Sequence, residues 1–246
     1  MKKLLLTALA TALLTAGCAS NPKQVGVKSE AQYYQDASAA MKAGNYTTAV
    51  TNLEALESQY PVGSYTEQAQ LELVYGKYMQ ADYSAAVAAA DRYIRLHPES
   101  TRLDYVIYLR GLSNYLADQD AILRRLPVNL AHRDLAQARI AFDDFRQLLT
   151  RYPDSPYGAD ARQRMVYLRN QFAESELNVA RYYKTRGAYV AMVDRARWVL
   201  ESYPESAAVP EALQLLAQGY DALGMKDLAT QTRNLIAAQG KPATVR

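Results

Sequence analysis

The sequence predicts an all-α fold, a curved solenoid of about five helix hairpins. Three observations predict it. Proline recurs in one setting, as SQYPVGSY at 58–65, RLHPESTR at 95–102, TRYPDSPY at 150–157 and ESYPESAA at 201–208. Small and aromatic residues recur upstream at matching distances: Gly44, Tyr46, Ala49, Leu53 and Leu56 before Pro61; Ala81, Tyr83, Ala86, Ala90 and Tyr93 before Pro98; Ala138, Ala141, Phe145 and Leu148 before Pro153; Gly187, Tyr189, Ala196 and Val199 before Pro204. No stretch alternates apolar and polar residues at the period of a strand.

The chain opens with Met1-Lys2-Lys3, then Leu4 to Leu14 without a charge, then Ala16-Gly17 and Cys18. That is the charged–apolar–small order of an export signal, and its apolar run is shorter than the roughly 20 residues of a spanning helix. Cys18 is the single cysteine, so no internal disulfide can form. Its position resembles the lipobox of bacterial lipoproteins, although Thr15 stands where those have Leu. The resemblance implies removal of residues 1–17, acylation of Cys18 and, with Ala19 rather than Asp next, the outer membrane on its periplasmic face. Residues 18–30 are polar and read as a flexible tether, up to about 40 Å long at roughly 3.3–3.6 Å per residue.

Residues 31–117 read as two repeats and the start of a third. Ala49, Ala86 and Ala141 let paired helices approach, the aromatic at 46, 83 or 189 packs across the turn, and proline stops the helix by disfavouring α conformation in the residue before it. Ser64 with Glu67 matches a capping box, and Ser155 before Pro156 reads as a cap with proline at the first helical position. These units resemble the tetratricopeptide repeat. Successive prolines stand 37, 55 and 51 residues apart, so the array is interrupted. The first excess is an inserted loop at 118–134. The second is a helix over 157–186, about 45 Å at 1.5 Å per residue. Residues 135–240 carry repeats three to five, Gly224 and Ala229 opening the last, and 241–246 is an unstructured tail. Each hairpin buries a face against its neighbours, leaving a concave groove.

Lys2 and Lys3 fall in the signal; without them the 28 Lys and Arg stand at 26 against 25 Asp and Glu. A near-neutral body lacks the basic stripe of a nucleic-acid binder. His97 occupies the pre-proline slot of Tyr60, Tyr152 and Tyr203 and reads as packing; neither it nor His132 has a partner at metal-ligand spacing, so no metal or other cofactor is expected. No phosphate loop or nucleophile elbow is present, and Asp143-Asp144 reads as a solvated helix face, so no catalytic residue is assigned. The abundant residue is Tyr, 20 against 3 Phe and 1 Trp. Many pack between helices, while Tyr60, Tyr65, Tyr75 and Tyr78 cluster where a groove could hold an extended peptide.

Five strings, NYTTAVTNLEALESQYPVGSY, DRYIRLHP, LDYVIYLRGL, ARIAFDDF and RGAYVAMVDR, occur in this order along the chain. Together with the lipobox they resemble the BamD (ComL) family, lipoproteins of the outer-membrane β-barrel assembly machinery. The resemblance implies a non-enzymatic scaffold. Its N-terminal repeats would receive C-terminal targeting signals of unfolded barrel proteins at Tyr46, Tyr60, Gly63 and Tyr65. Gly63 reads equally as a turn glycine. Its C-terminal repeats would dock on the central barrel subunit through Arg195; Arg162, Arg164 and Arg169 of the long helix, and the loop around Arg124, Arg125 and Pro127, are further candidate contacts for the barrel subunit and accessory lipoproteins. A different repeat lipoprotein, organising cell-wall synthesis or envelope constriction, is the alternative. A hydrolase would need a buried cluster of ionisable groups.

Overall fold

The computed structural model describes residues 28–117 and 135–239, so Cys18, the inserted loop with Arg124, Arg125, Pro127 and His132, and the tail lie outside the described residues. Among the described residues ten helices follow one another: α1 Glu30–Lys42, α2 Tyr46–Gln59, α3 Thr66–Met79, α4 Tyr83–Leu96, α5 Leu103–Ala117, α6 Ala136–Arg151, α7 Gly158–Thr185, α8 Tyr189–Ser202, α9 Val209–Ala222 and α10 Lys226–Gln239. Among the described residues there is no strand. Each helix packs on the next, and α3 also meets α5 while α7 meets α9. The odd-numbered helices therefore form the inner layer of a solenoid of tetratricopeptide-like hairpins.

The sequence repeat is a repeat of backbone conformation. Tyr60, His97, Tyr152 and Tyr203 share φ of −128 to −133° and ψ of 52 to 67°. Each donates its N–H to the carbonyl four residues back, at 2.8–2.9 Å. Proline next in line excludes α conformation there, so the outer helix ends and the chain turns to the following inner helix. The hairpin turns repeat as well. Gly44, Gly187 and Gly224 have φ of 72, 68 and 76°, and Ala81 holds the same slot at 59°. All four turns close with paired 6→1 and 5→2 hydrogen bonds, as in Asp82 N–H to the Lys77 carbonyl and Ala81 N–H to the Tyr78 carbonyl.

Small residues sit at the helix crossings. Ala49, Ala86, Ala141 and Ala196 have no exposed surface. A β-carbon on Gly76 would come 2.7 Å from the Val50 side chain, and one on Gly111 2.8 Å from the Phe145 ring. Three cores result, one over α1–α3, one over α3–α7 and one over α7–α10. Helix α7 serves two of them: Leu168 and Phe172 enter the middle core, Ala173, Leu177 and Ala180 the last. Its 28 residues explain the long proline interval.

The caps differ from expectation. Helix α3 starts at Thr66 with no side-chain cap, because the Glu67 carboxylate accepts from the Tyr93 hydroxyl, 3.0 Å, and the Ser64 amide is taken by Glu30. The capping box lies at Ser29 and Gln32, its first residue inside the 18–30 stretch expected to be tether. Helix α7 starts two residues after Pro156; Ser155 accepts from the Tyr157 amide and donates to Asp104, making a turn rather than a helix cap. Asp144 is no solvated carboxylate: it lies on the core face with Ala141, Phe145 and Leu148 and is 4% exposed. Only Asp143 faces solvent, pairing with Arg146. His97 packs as expected, its ring 4.8 Å from that of Tyr93 and its Nε2 2.7 Å from Gln70 Oε1.

Candidate binding furrow

The turn between α2 and α3 gathers Tyr60, Gly63 and Tyr65 with Glu30 from α1. The Tyr65 and Ser64 amides donate to the two Glu30 carboxylate oxygens, at 2.7 and 3.3 Å. Gly63 donates to Thr66 Oγ1, whose hydroxyl donates to the Tyr60 carbonyl. A β-carbon on Gly63 would overlap the Glu30 carboxylate, whereas its φ is not in the left-handed region. Gly63 is thus a close-approach glycine, and what approaches is a side chain of the same chain. The Tyr60 hydroxyl donates to the Lys28 carbonyl at 3.0 Å. Tyr65 stacks on Tyr34 at 4.8 Å, and the Tyr34 hydroxyl donates to Glu72 at 2.7 Å. Burial, then the Glu72 carboxylate, pushes the Tyr34 hydroxyl up to about 12.

Tyr46 stands apart from those three. It meets Tyr75 edge-on at 6.1 Å, ten residues further along α3 than Tyr65. The two tyrosine groups are bridged by inner-layer residues not singled out in the sequence. Tyr105 of α5, raised by burial and then by neighbouring Tyr157, lies close enough to feel both Tyr75 and Glu72. Tyr157 contacts Tyr105 at 5.5 Å and stacks on Tyr108 at 4.7 Å. The Tyr108 hydroxyl donates to Asp160 at 2.8 Å, and Arg164 pairs with the same carboxylate at 2.5 Å. The Arg164 guanidinium then lies 5.0 Å over the Tyr115 ring, which meets Tyr167 at 6.1 Å. Burial raises Asp160, but the Arg164 and Tyr108 hydrogen bonds outweigh it and hold the carboxyl below its usual range. Arg164 of α7 is thus held against the α5 ring of Tyr115 and the Asp160 carboxylate.

Arg195, on α8, forms a second location. Its Nη1 lies 2.9 Å from Glu176 Oε2 of α7, so its partner is Glu176 and not the adjacent Asp194. Tyr183, Ala191, Asp194, Arg195 and Trp198 line an open hollow of about 300 Å³. Trp198, the single tryptophan, is half exposed, with Val190 and Tyr182 also exposed nearby in sequence. Arg169 pairs with Glu205, while Arg162 stands exposed. Trp198 and Glu30, like the inner-layer residues Tyr105, Tyr108, Asp160 and Tyr167, are residues that sequence reasoning missed. The first had a signal, a lone large aromatic opposite the core positions 192, 193, 196 and 199; the second had none, being 35 positions from its partner.

An ionic cluster does exist around Arg110, Asp144, Asp91 and Asn114, buried at Asp144 and Asn114 and open to solvent at Asp91, and its members are hydrogen-bonded to one another. Among the described residues no group of His, Cys, Asp and Glu could hold a metal, and no helix is long and apolar enough to cross a membrane.

The model of the family described as YfiO, outer membrane lipoprotein, matches residues 27–235. This chain belongs to the YfiO outer membrane lipoprotein family. The match takes in all the described helices to within a few residues of the end of α10. Proteins named outer membrane protein assembly factor BamD share 36% identity in Vibrio cholerae (96% of this chain, 98% of that protein), 40% in Xylella fastidiosa (95% and 80%) and 37% in Neisseria meningitidis (96% and 90%). A solved tetratricopeptide repeat protein from Parabacteroides merdae aligns over 87% of this chain and 80% of its own at a TM-score of 0.40 and 13% identity, too distant to add to the YfiO assignment.

Proposed function

We propose that this chain is a non-enzymatic scaffold of outer-membrane β-barrel assembly, held on the periplasmic face of the outer membrane by acyl groups on Cys18. The observation that carries it is membership of the YfiO family across residues 27–235, with relatives named assembly factors along nearly their whole length. A single acyl chain binds a bilayer only marginally, at about 0.8 kcal/mol per buried methylene, so stable anchoring takes more than one chain at Cys18.

The furrow supports a receptor role for C-terminal signals of unfolded barrel proteins. Such a signal is a short strand of alternating apolar and aromatic residues with unpaired backbone groups. Tyr60 and Tyr65, on either side of Gly63, and Tyr46 with Tyr75, offer rings for its side chains and hydroxyls for its backbone. Arg195, with the exposed Trp198, is the docking point for the central barrel subunit, and accessory lipoproteins are further partners. An Arg–Trp pair suits the centre of an interface, where such anchors dominate.

The test is Arg195→Glu, with Trp198→Ala as a second variant. Both keep the helical circular dichroism, since Arg195 is 46% exposed in its side chain. Losing a desolvated charge at an interface costs about 2–5 kcal/mol, so recovery of the barrel subunit from solubilised outer membrane falls at least tenfold. Unchanged recovery in both variants would remove this docking site. Recovery of peptidoglycan-synthesis enzymes in place of barrel subunits would overturn the assembly reading.

A further inference from the structure

We infer that the furrow is a cradle for one extended strand of about nine residues, and that its far end is read by Tyr108, Asp160, Arg164 and Tyr167. This rests on the receptor reading above but extends it from the first two repeats to α7.

The residues form one lane across the inner layer. On α3, Gln68, Glu72 and Tyr75 follow at helical spacing on one face; on α5, Tyr105, Tyr108 and Tyr115; on α7, Tyr157 just before its first turn, then Asp160, Arg164 and Tyr167. Contacts run from Tyr65 through Tyr34 to Glu72 on one side, and from Tyr105 through Tyr157, Tyr108, Asp160 and Arg164 to Tyr115 and Tyr167 on the other; Glu72 and Tyr105 lie within electrostatic reach of each other between the two. Most of these rings are half-buried and Tyr167 is exposed, so each fixes its edge on a neighbour and leaves a surface toward the furrow.

Length and chemistry choose the occupant. Helices in contact stand about 8–10 Å apart, so four inner helices side by side, α1, α3, α5 and α7, span roughly 25–30 Å. An extended strand covers that distance in about eight or nine residues at 3.3 Å each. A membrane-spanning β-strand has about 9–11. An extended strand needs partners for N–H and C=O groups as well as for side chains. The lane carries both signs among its rings: the Glu72 and Asp160 carboxylates, which accept from Tyr34, Gln68, Tyr108 and Arg164, and the Arg164 guanidinium, so a strand's backbone groups share or replace these partners. A helix, its own backbone satisfied, would make no use of these groups.

The experiment uses fluorescein-labelled peptides, one of nine residues alternating tyrosine or phenylalanine with valine or threonine, and its two five-residue halves, titrated against the full chain. The nine-residue peptide binds at least tenfold more tightly than either half. Arg164→Ala and Tyr167→Ala each abolish that gain and leave one half binding as before; Tyr65→Ala weakens the nine-residue peptide and the other half. A photocrosslinker at position 167, which needs no loss of contact and tolerates the exposed site, captures the nine-residue peptide. Equal affinity for long and short peptides, or a gain unchanged by both α7 variants with no crosslink at 167, overturns the inference while Tyr65→Ala sensitivity preserves the receptor reading. Insensitivity of every peptide to Tyr65→Ala would remove the receptor reading itself. A concentration-dependent dimer dissolved by Tyr167→Ala would assign the furrow to a second copy of the chain and overturn the inference too.

Discussion

The guanidinium of Arg110 on α5 lies 2.7 Å from the carboxylate of Asp144 on α6, with side-chain exposures of 18% and 6%. Arg110 also holds Asp91 of α4 at 2.7 Å, and the Asn114 amide fills the second Asp144 oxygen at 2.8 Å. Burial pushes the Asp144 carboxyl up, against Arg110 and Asn114, which favour its charge. Arg110→Met leaves that carboxylate buried without its counter-ion, and costs about 3 kcal/mol, the low end for a broken buried pair. Arg110→Met with Asp144→Leu costs less, about 1–2 kcal/mol, chiefly for the orphaned Asn114 amide. Urea unfolding checks both; a double variant as unstable as the single one would show that packing, not charge, holds this joint.

Ala81 holds φ of 59° in a turn where the other three described hairpin turns place glycine. Left-handed conformation costs a side-chain-bearing residue about 1–2 kcal/mol, while glycine brings about 0.4–1 kcal/mol of extra freedom to the unfolded chain. Ala81→Gly therefore stabilises by about 0.5 kcal/mol, roughly 1–2 °C in Tm for a chain of this size. Gly187→Ala moves the other way by about 1 kcal/mol. Thermal unfolding of the two variants side by side decides it, and a loss of stability in Ala81→Gly would contradict the strain argument.

How far these features were legible depends on how local their cause is. The hairpins were readable because proline and a pre-proline aromatic act on their own backbone, and the long helix because nothing breaks residues 158–185. Asp144 was readable in principle: it shares its helix phase with Ala141, Phe145 and Leu148, and only its adjacency to Asp143 made it look solvated. The furrow's far end was readable from the spacing of 157, 160, 164 and 167, although nothing local says that this face of α7 turns inward. The Glu30 contact was not readable, since helix docking alone brings residue 30 to residues 63–65. The capping box was misplaced for a related reason. Ser64-x-x-Glu67 and Ser29-x-x-Gln32 fit the motif equally, and tertiary competition for Glu67 and the Ser64 amide selects the second.

Acid should loosen the α7–α9 contact. Arg181 of α7 grips Glu211 of α9 with two hydrogen bonds of 2.6 and 2.7 Å, which hold the Glu211 carboxyl below its usual range. A carboxyl lowered in the folded state contributes stability above its unfolded pKa of about 4.3, and loses it as pH falls through the lower folded value. Asp160 follows the same sign, and Asp144, raised, the opposite one. Tm therefore declines below about pH 4, and Glu211→Gln flattens that decline while lowering Tm by roughly 1–3 °C at neutral pH, the scale of a pair this exposed. Melting curves from pH 3 to 7 test it; a parallel decline in the variant would mean that other carboxyls carry the acid response.

Gly63→Ala separates two accounts of one glycine. The added methyl would overlap the Glu30 carboxylate, the far end of a flexible side chain, so the carboxylate leaves rather than the backbone. The Tyr65 and Ser64 amides then lose a charge-assisted acceptor at a partly exposed site where water can replace it, a cost of about 1 kcal/mol. In a Glu30→Ala background the methyl meets no carboxylate, and the same substitution costs almost nothing. If Gly63 instead serves the turn through its backbone freedom, the cost is equal in both backgrounds. Its φ lies outside the left-handed region, which favours the first account. A double-mutant cycle by chemical denaturation gives the answer: a coupling of about 1 kcal/mol ties Gly63 to Glu30, and a coupling of zero returns it to the turn.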